Sequence, residues 1–256
     1  MRRQVLTDCD LDAFYSSEST ALWQKIIGED LHYHFGYFTG SEDLGTGLKQ
    51  TVRNYYAHIP LKSRVLDIGC GWGGPARLLQ TEKQCVVSGV TISQAQAAYC
   101  QDTGLSVQQC DLEADVWPLQ GQYDVILSLE MISHIRDKTQ LLRHLRPHAN
   151  RLILSESCVA DDYTGSRATF GGSIWLCSVA ELTTALHTAG WQIKWMRDRR
   201  FQSLRTIALW QARLQAVYGD APPPGQFAAL QGLVNQARIN PLNWARSFPL
   251  IDVVAV

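Results

Sequence analysis

The sequence predicts an α/β fold, a mostly parallel sheet flanked by helices, on three observations. From residue 65 onward short apolar runs alternate with helical patterns, a glycine-rich turn follows the first of those runs, and 46% of the 256 residues are apolar, enough to bury a sizeable core. The first strand is placed at 65–68, running through Gly69, Gly71, Gly73 and Gly74 into a helix with Pro75 in its first turn and Leu78 and Leu79 facing inward. A second strand at 86–90 precedes a helix opened by Ser93 with Gln96 three residues on, the spacing of a capping box. A short strand near Val107, a strand at 123–129, a helix from about Asp137 to Leu145 stopped by Pro147, and a strand at 152–154 follow. Ser178 and Glu181 form another capping-box pair. They open a helix with Leu182, Ala185, Leu186 and Ala189 on one face and Gly190 as its stop. Trp191, Ile193 and Trp195 alternate as a sixth strand, and 249–256 is an apolar seventh.

Three segments fall outside this core: 1–60, about 157–176 and about 201–247. The expected organisation is therefore a helical cap over residues 1–60 and a core over 61–256 carrying two cap insertions. Leu48, Val52, Tyr55 and Ile59 fall at helical spacing, as do Phe227, Leu230, Val234 and Ala237. Residues 221–225 (APPPG) make a rigid loop between helices.

Composition removes several function classes. Lys and Arg number 23 against 24 Asp and Glu, so the net charge is −1, and charged residues make up only 18%. A nucleic-acid or membrane-surface binder advertises a basic stripe. The nearest candidate, Arg197, Asp198, Arg199 and Arg200, reads as a solvated strand end. Nowhere do 18 apolar residues run together, and no apolar stretch follows the basic N-terminus, so neither a membrane span nor a signal peptide is expected. Seven cysteines (Cys9, Cys70, Cys85, Cys100, Cys110, Cys158, Cys177) are scattered, with no C-x-x-C and no zinc spacing. They read as reduced thiols in a cytoplasmic protein without a metal site. Oligomeric state is not written in the sequence. Eight tryptophans suggest aromatic surface lining a pocket.

The densest chemical signal is the strand 65–68 and its glycine turn, where a ligand must approach the backbone more closely than a Cβ allows. Gly69, Gly71 and Gly74 also satisfy G-x-G-x-x-G, which raises a nicotinamide or flavin dinucleotide. Two features oppose that reading. Asp67 stands just before the turn, where a pyrophosphate wants no negative charge, and the second strand ends in Thr91 rather than in the acid that a dinucleotide ribose expects. An acid before the turn suits a cationic ligand.

The stretch 65–74 resembles motif I of the class I S-adenosylmethionine-dependent methyltransferases, so the expected sheet is Rossmann-like and seven-stranded. Residues 89–96 (GVTISQAQ) resemble the G-x-T-[LI]-S-x-x-Q segment of the branch holding cyclopropane fatty acid synthases and tocopherol methyltransferases. The resemblance implies that Thr91 and Gln96 replace the usual acid on the ribose hydroxyls, alongside the capping role open to Gln96. Asp111, in Cys110-Asp111-Leu112, stands where the wider family accepts from the adenine amino group, although a lone Asp after a strand is also a turn former. Residues 128–138 resemble the S-x-E-x-x-x-H-x-x-D-K of tocopherol-type enzymes and place Glu130 and His134 at the ligand-binding edge of the sheet. Residues 32–38 (HYHFGYF) are similar to the aromatic segments that close over the cofactor's methionine end, and could equally plug the space between cap and core.

The resemblance thus assigns Tyr33, His34, Asp67, Gly69, Gly71, Thr91, Ile92, Gln96, Asp111, Leu112 and Leu129 to S-adenosylmethionine and its product S-adenosylhomocysteine. It assigns His134 and Glu130 to catalysis, His134 as base and Glu130 to orient it or to stabilise a developing cation. Tyr33, Tyr37 or Trp72 would hold the sulfonium near a ring face. The partner expected is a small, largely apolar acceptor methylated on O, N or C, in specialised metabolism. Cyclopropanation of an alkene or lipid is the alternative, opposed by the three residues between Glu130 and His134, which stand adjacent in cyclopropane synthases. A non-catalytic binding protein of the same fold would keep the glycine turn and lose the acceptor pocket.

Overall fold

The computed structural model describes residues 11–113, 121–169 and 174–256. Cys9, the start of the cap segment and residues 170–173 of the first insertion lie outside them. The helices α1 (Leu11–Ser16), α2 (Thr20–Ile27) and α3 (Leu44–Arg53) precede β1 (Arg64–Ile68), α4 (Gly74–Lys83), β2 (Val86–Thr91), α5 (Gln94–Asp102), β3 (Ser106–Gln109), β4 (Val125–Leu129), α6 (Lys138–Leu145) and β5 (Leu152–Ser157). A small hairpin, β6 (Ala168–Thr169) and β7 (Ile174–Trp175), leads to α7 (Val179–Thr188) and β8 (Ile193–Asp198). Then α8 (Arg200–Tyr218), α9 (Gly225–Ile239) and α10 (Pro241–Ser247) precede β9 (Leu250–Ala255).

The seven-stranded Rossmann-like sheet has the order β3-β2-β1-β4-β5-β9-β8, with β1 to β5 parallel and β9 antiparallel to both of its neighbours. The central strands are near-continuous apolar runs because helices cover both faces. On one face Leu66, Ile68, Ile126 and Leu154 pack with α6 and α7, and on the other Val65, Val87, Leu127 and Val254 pack with α4 and α5. A third apolar cluster joins α2, α8 and α9 through Trp23, Ile26, Trp210, Leu214, Phe227 and Leu230, so the N-terminal segment and the 201–247 segment share one core.

Several expectations need correction. The periodic run Leu48, Val52, Tyr55, Ile59 is buried throughout, yet α3 ends at Arg53 and a 3₁₀ turn at Tyr56–His58 carries the apolar face onward. Trp191 lies before β8 and is buried under α6, its indole N–H donating to the Leu142 carbonyl at 2.9 Å. The capping box at Ser178 and Glu181 forms in both directions, whereas at α5 only half of one forms. The Ser93 hydroxyl accepts from the Gln96 N–H, but the Gln96 side chain turns to Thr91.

The basic run is not a solvated strand end. Arg199 is completely buried: its Nε donates to Asp252 Oδ1 at 2.8 Å, and its Nη2 donates to Ser155 Oγ at 2.8 Å and Glu130 Oε1 at 3.1 Å. Its Nη1 donates to the Phe35 and Gly36 carbonyls, each at 3.1 Å. The rest of the run stays partly exposed, Arg197 bonded to Asp252 and Arg200 to Asp198. Burial pushes the Asp252 carboxyl up, but Arg199 and Arg197 outweigh it and hold the group below the usual carboxylate range.

Candidate active site

The thirteen residues assigned to cofactor or catalysis line one chamber of about 950 Å³ at the C-terminal edge of β1, β2, β4 and β5, together with Trp72 but not Tyr37. That edge is where open α/β sheets take their ligands. Its lining runs from a region beside the glycine turn to one that takes in β7 and the 201–247 helices, with α1 along the wall.

In the first region β1 ends in Asp67, 2% exposed, whose Oδ2 has no hydrogen-bond partner. Burial pushes its pKa up to about 7. An unpaired carboxylate in such a place is costly unless a cation meets it. Gly71 has φ +54° and an added Cβ would stand in open space 4.0 Å from Gln96 Nε2, so the turn needs glycine for its backbone and leaves room beside it. Gly69 has φ +70°, and a Cβ there would collide with Met131. Thr91 Oγ1 donates to Gln96 Oε1 at 2.7 Å, both side chains buried. This pairing consumes the acceptor end of Gln96 and leaves its amide NH₂ as the donor beside the glycine turn. Ile92 follows Thr91 on the chamber wall, and Leu112 and Leu129 are each 8% exposed there. Asp111 is exposed, and its Oδ1 accepts from the Glu113 N–H at 2.9 Å, the turn-forming contact.

The segment 32–38 packs across this region. His34 Nδ1 donates to the Phe35 carbonyl at 3.1 Å, which leaves its Nε2 to accept from His32 Nδ1 at 3.1 Å. Burial, the main cause, drives His34 down to about 4, so its imidazole on the chamber wall is neutral at pH 7. Tyr33 packs edge-on against Trp23, and burial together with Glu130 pushes its phenol up. Tyr37 instead lies under the guanidinium of Arg197, and Trp72 is 2% exposed against Tyr99.

In the second region Glu130 follows β4 with φ +56°, an unusual conformation for a residue with a side chain, held through its backbone N–H and one carboxylate oxygen. Its N–H donates to Ser155 O at 2.7 Å, and its Oε1 accepts from the Phe35 N–H at 2.9 Å as well as from Arg199. Burial raises Glu130 to about 7 against the pull of Arg199. His134 sits in the 3₁₀ turn Ile132–His134, with Nε2 2.8 Å from the Tyr15 hydroxyl of α1.

The sequence reading missed Tyr15, Arg199, Asp252 and Glu156. Glu156 had a usable signal: an acid closing an apolar parallel strand at the ligand edge, as Asp67 does. Asp252 had one too, an acid inside an apolar strand, which demands a buried cation. Among the described residues no cluster of His, Cys, Asp or Glu is arranged to hold a metal ion, and no helix is long and apolar enough to cross a membrane.

The residues present fit S-adenosylmethionine. An orphaned buried carboxylate would answer its ammonium, the glycine turn leaves space at the backbone, and a buried amide NH₂ would be free to donate to a ribose. Comparison with known proteins agrees. Residues 42–195 match the family model described as methyltransferase domain. The chain is 30% identical over 119 residues to the cyclopropane-fatty-acyl-phospholipid synthase of Escherichia coli K12, covering 46% of this chain and 31% of that protein. It is 29% identical over 161 residues to the 27-O-demethylrifamycin SV methyltransferase of Amycolatopsis mediterranei, covering 57% of this chain and 58% of that protein. It therefore spans only about a third to three fifths of the length of these curated relatives. The cyclopropane synthase MmaA2 from Mycobacterium tuberculosis superposes with a TM-score of 0.81 at 15% identity over 99% of both chains, which shows a shared fold. With its motif positions gathered on one sheet edge and more than half of its length matched by the family model, the chain belongs to the methyltransferase-domain family.

Proposed function

We propose that the protein transfers a methyl group from S-adenosylmethionine to an oxygen, nitrogen or carbon atom of a small, largely apolar molecule in specialised metabolism. The observation that carries this reading is the continuity of the chamber: an unpartnered Asp67 carboxylate and the Thr91–Gln96 pair at one end, and an apolar compartment with Glu130 and His134 at the other. When bound, S-adenosylmethionine supplies an electrophilic methyl group on a sulfonium and leaves as S-adenosylhomocysteine.

Asp67 offers its free oxygen to the methionine ammonium, and Gln96 Nε2 offers its hydrogens to the ribose, with Thr91 fixing which end of the amide points outward. Tyr33, lodged between Trp23 and Trp210, and the 32–38 segment exclude water from the methionine end. Displacement at a methyl group needs alignment and dryness more than acid–base chemistry, which suits a site closed by aromatic rings. For an acceptor that must lose a proton, His134 is the base, positioned by Tyr15. Glu130, held by Arg199 and the Phe35 N–H, is the fixed carboxyl group on the same wall. The six described cysteines are unpaired, which suits the reducing cytoplasm.

The test is calorimetry with S-adenosylhomocysteine, followed by incubation with methyl-labelled cofactor and a metabolite extract. Micromolar binding, about 8 kcal/mol, and label in an organic-soluble product are expected. Absence of binding sinks the reading.

A further inference from the structure

The chamber contains a second carboxylate that this mechanism leaves unused. Glu156, near the end of β5, is fully buried yet lines the chamber next to Glu130 on the adjoining strand end. Backbone groups fix both of its oxygens: the Ser133 N–H donates to Oε2 at 3.0 Å and the Ser157 N–H to Oε1 at 2.9 Å. No ion pair neutralises it among the described residues. Lys138, whose charge it feels, spends its ammonium on the carbonyls of Ile135 at 2.8 Å and Trp175 at 2.6 Å. Burial pushes Glu156 up to about 7, with Lys138 opposing and Cys177 reinforcing the rise.

The lining is equally informative about what it does not offer. The one guanidinium on the described wall, Arg200, is bound to Asp198 and to the carbonyls of Ala245 and Arg246. Arg199 is spent on Asp252, Ser155, Glu130 and two carbonyls. Among the described lining residues an anionic headgroup would therefore meet Glu156, the Arg199-paired Glu130 and no spare guanidinium, an arrangement that disfavours phosphates and free carboxylic acids. Ring faces stand in the same compartment: Trp244 and Phe248 have centroids 4.3 Å apart, and Tyr163 and Phe248 5.3 Å. Carboxylates with aromatic walls are the chemistry that recognises an organic cation.

We propose that Glu156 is an acceptor-binding residue that selects an apolar amine, taken up as its ammonium. The inference rests on the methyl-transfer reading above. It narrows the acceptor from O, N or C to nitrogen, and leaves removal of the ammonium proton to His134.

The experiment uses three probes of matched shape, 4-phenylbutylamine, 4-phenylbutan-1-ol and 4-phenylbutanoate, titrated at pH 8 into protein saturated with S-adenosylhomocysteine. The amine should bind about tenfold more tightly than the alcohol, and the carboxylate no better than the alcohol. Glu156→Gln should bring the amine within about twofold of the alcohol, while Glu156→Asp, which keeps the charge, should retain part of the preference. Amine binding that is absent, or no tighter than that of the alcohol, overturns the proposal. So does an amine preference that survives Glu156→Gln with S-adenosylhomocysteine binding intact. If the Gln variant fails to bind S-adenosylhomocysteine because its amide opposes a backbone donor, the wild-type ranking and the Asp variant decide. Failure of the wild-type protein to bind S-adenosylhomocysteine would instead remove the methyl-transfer reading itself.

Discussion

Tyr15 in α1 and His134 behind β4 meet on the chamber wall across 119 residues of sequence, hydroxyl to Nε2 at 2.8 Å with the rings edge-on. The contact ties the N-terminal segment to the residue proposed as base. Loss of a base costs about 10²- to 10⁴-fold in rate. His134→Ala should lower kcat by that order and leave S-adenosylhomocysteine affinity unchanged. Tyr15→Phe, which removes one hydrogen bond, should lower kcat about three- to tenfold. Full turnover by His134→Ala on an identified acceptor ends the assignment.

Asp67 makes two expectations testable on one variant. Replacing it with Asn should weaken S-adenosylhomocysteine binding by about 1 to 3 kcal/mol in calorimetry. The unliganded protein should also show a pH signature. A carboxyl near 3.9 in the unfolded chain and about 7 in the fold keeps its proton longer when folded, so its contribution is full below pH 4 and is lost as pH rises through 7. Melting curves between pH 4 and 8 should show the wild type losing ground to Asp67→Asn by a few kcal/mol. Saturating S-adenosylhomocysteine should close much of that gap.

Gln96 separates a binding role from a folding role. Because its side chain serves Thr91 and not the Ser93 N–H, Gln96→Ala keeps the α5 cap intact. The variant should lose about 0.5 to 1.5 kcal/mol of cofactor affinity per hydrogen bond removed. A drop confined to the melting temperature, with affinity unchanged, takes Gln96 out of the ribose site.

The Arg199–Asp252 pair should behave as a buried ion pair. Asp252→Asn leaves a guanidinium without its main counter-charge and should destabilise the fold by about 3 to 5 kcal/mol in urea titration. Because Arg199 also clamps Glu130 and the Phe35 and Gly36 carbonyls, Arg199→Met should additionally raise KM for S-adenosylmethionine through the 32–38 segment. Equal stability of wild type and Asp252→Asn would contradict this account.

The parts of the molecule legible in the sequence are those whose physics is local. The strand 65–68, its glycine turn and the Ser178–Glu181 box announce themselves within ten residues, and each forms in the fold. Gln96 shows the limit of local reading, since the capping spacing was present but a buried threonine hydroxyl five residues upstream claimed the amide oxygen. Arg199 lay beyond it. Its partners Phe35, Glu130, Ser155 and Asp252 stand between 44 and 164 residues away, and a basic run looks the same on paper whether solvated or buried. Tyr15 was invisible for the same reason.

The position of β9 bears on how the chain is assembled. β8 pairs with β9 alone, and β9, the later strand, lies between β8 and β5. During synthesis β8 must therefore wait, without a neighbour, until the helices α8 to α10 and residues 250–255 have left the ribosome. Asp252 arrives on that same strand, so until then Arg199 has only Glu130 as a counter-charge. A nascent chain halted before residue 250 would hold a five-stranded sheet with an unpaired strand and an arginine short of its closest counter-charge, a species suited to chaperone capture.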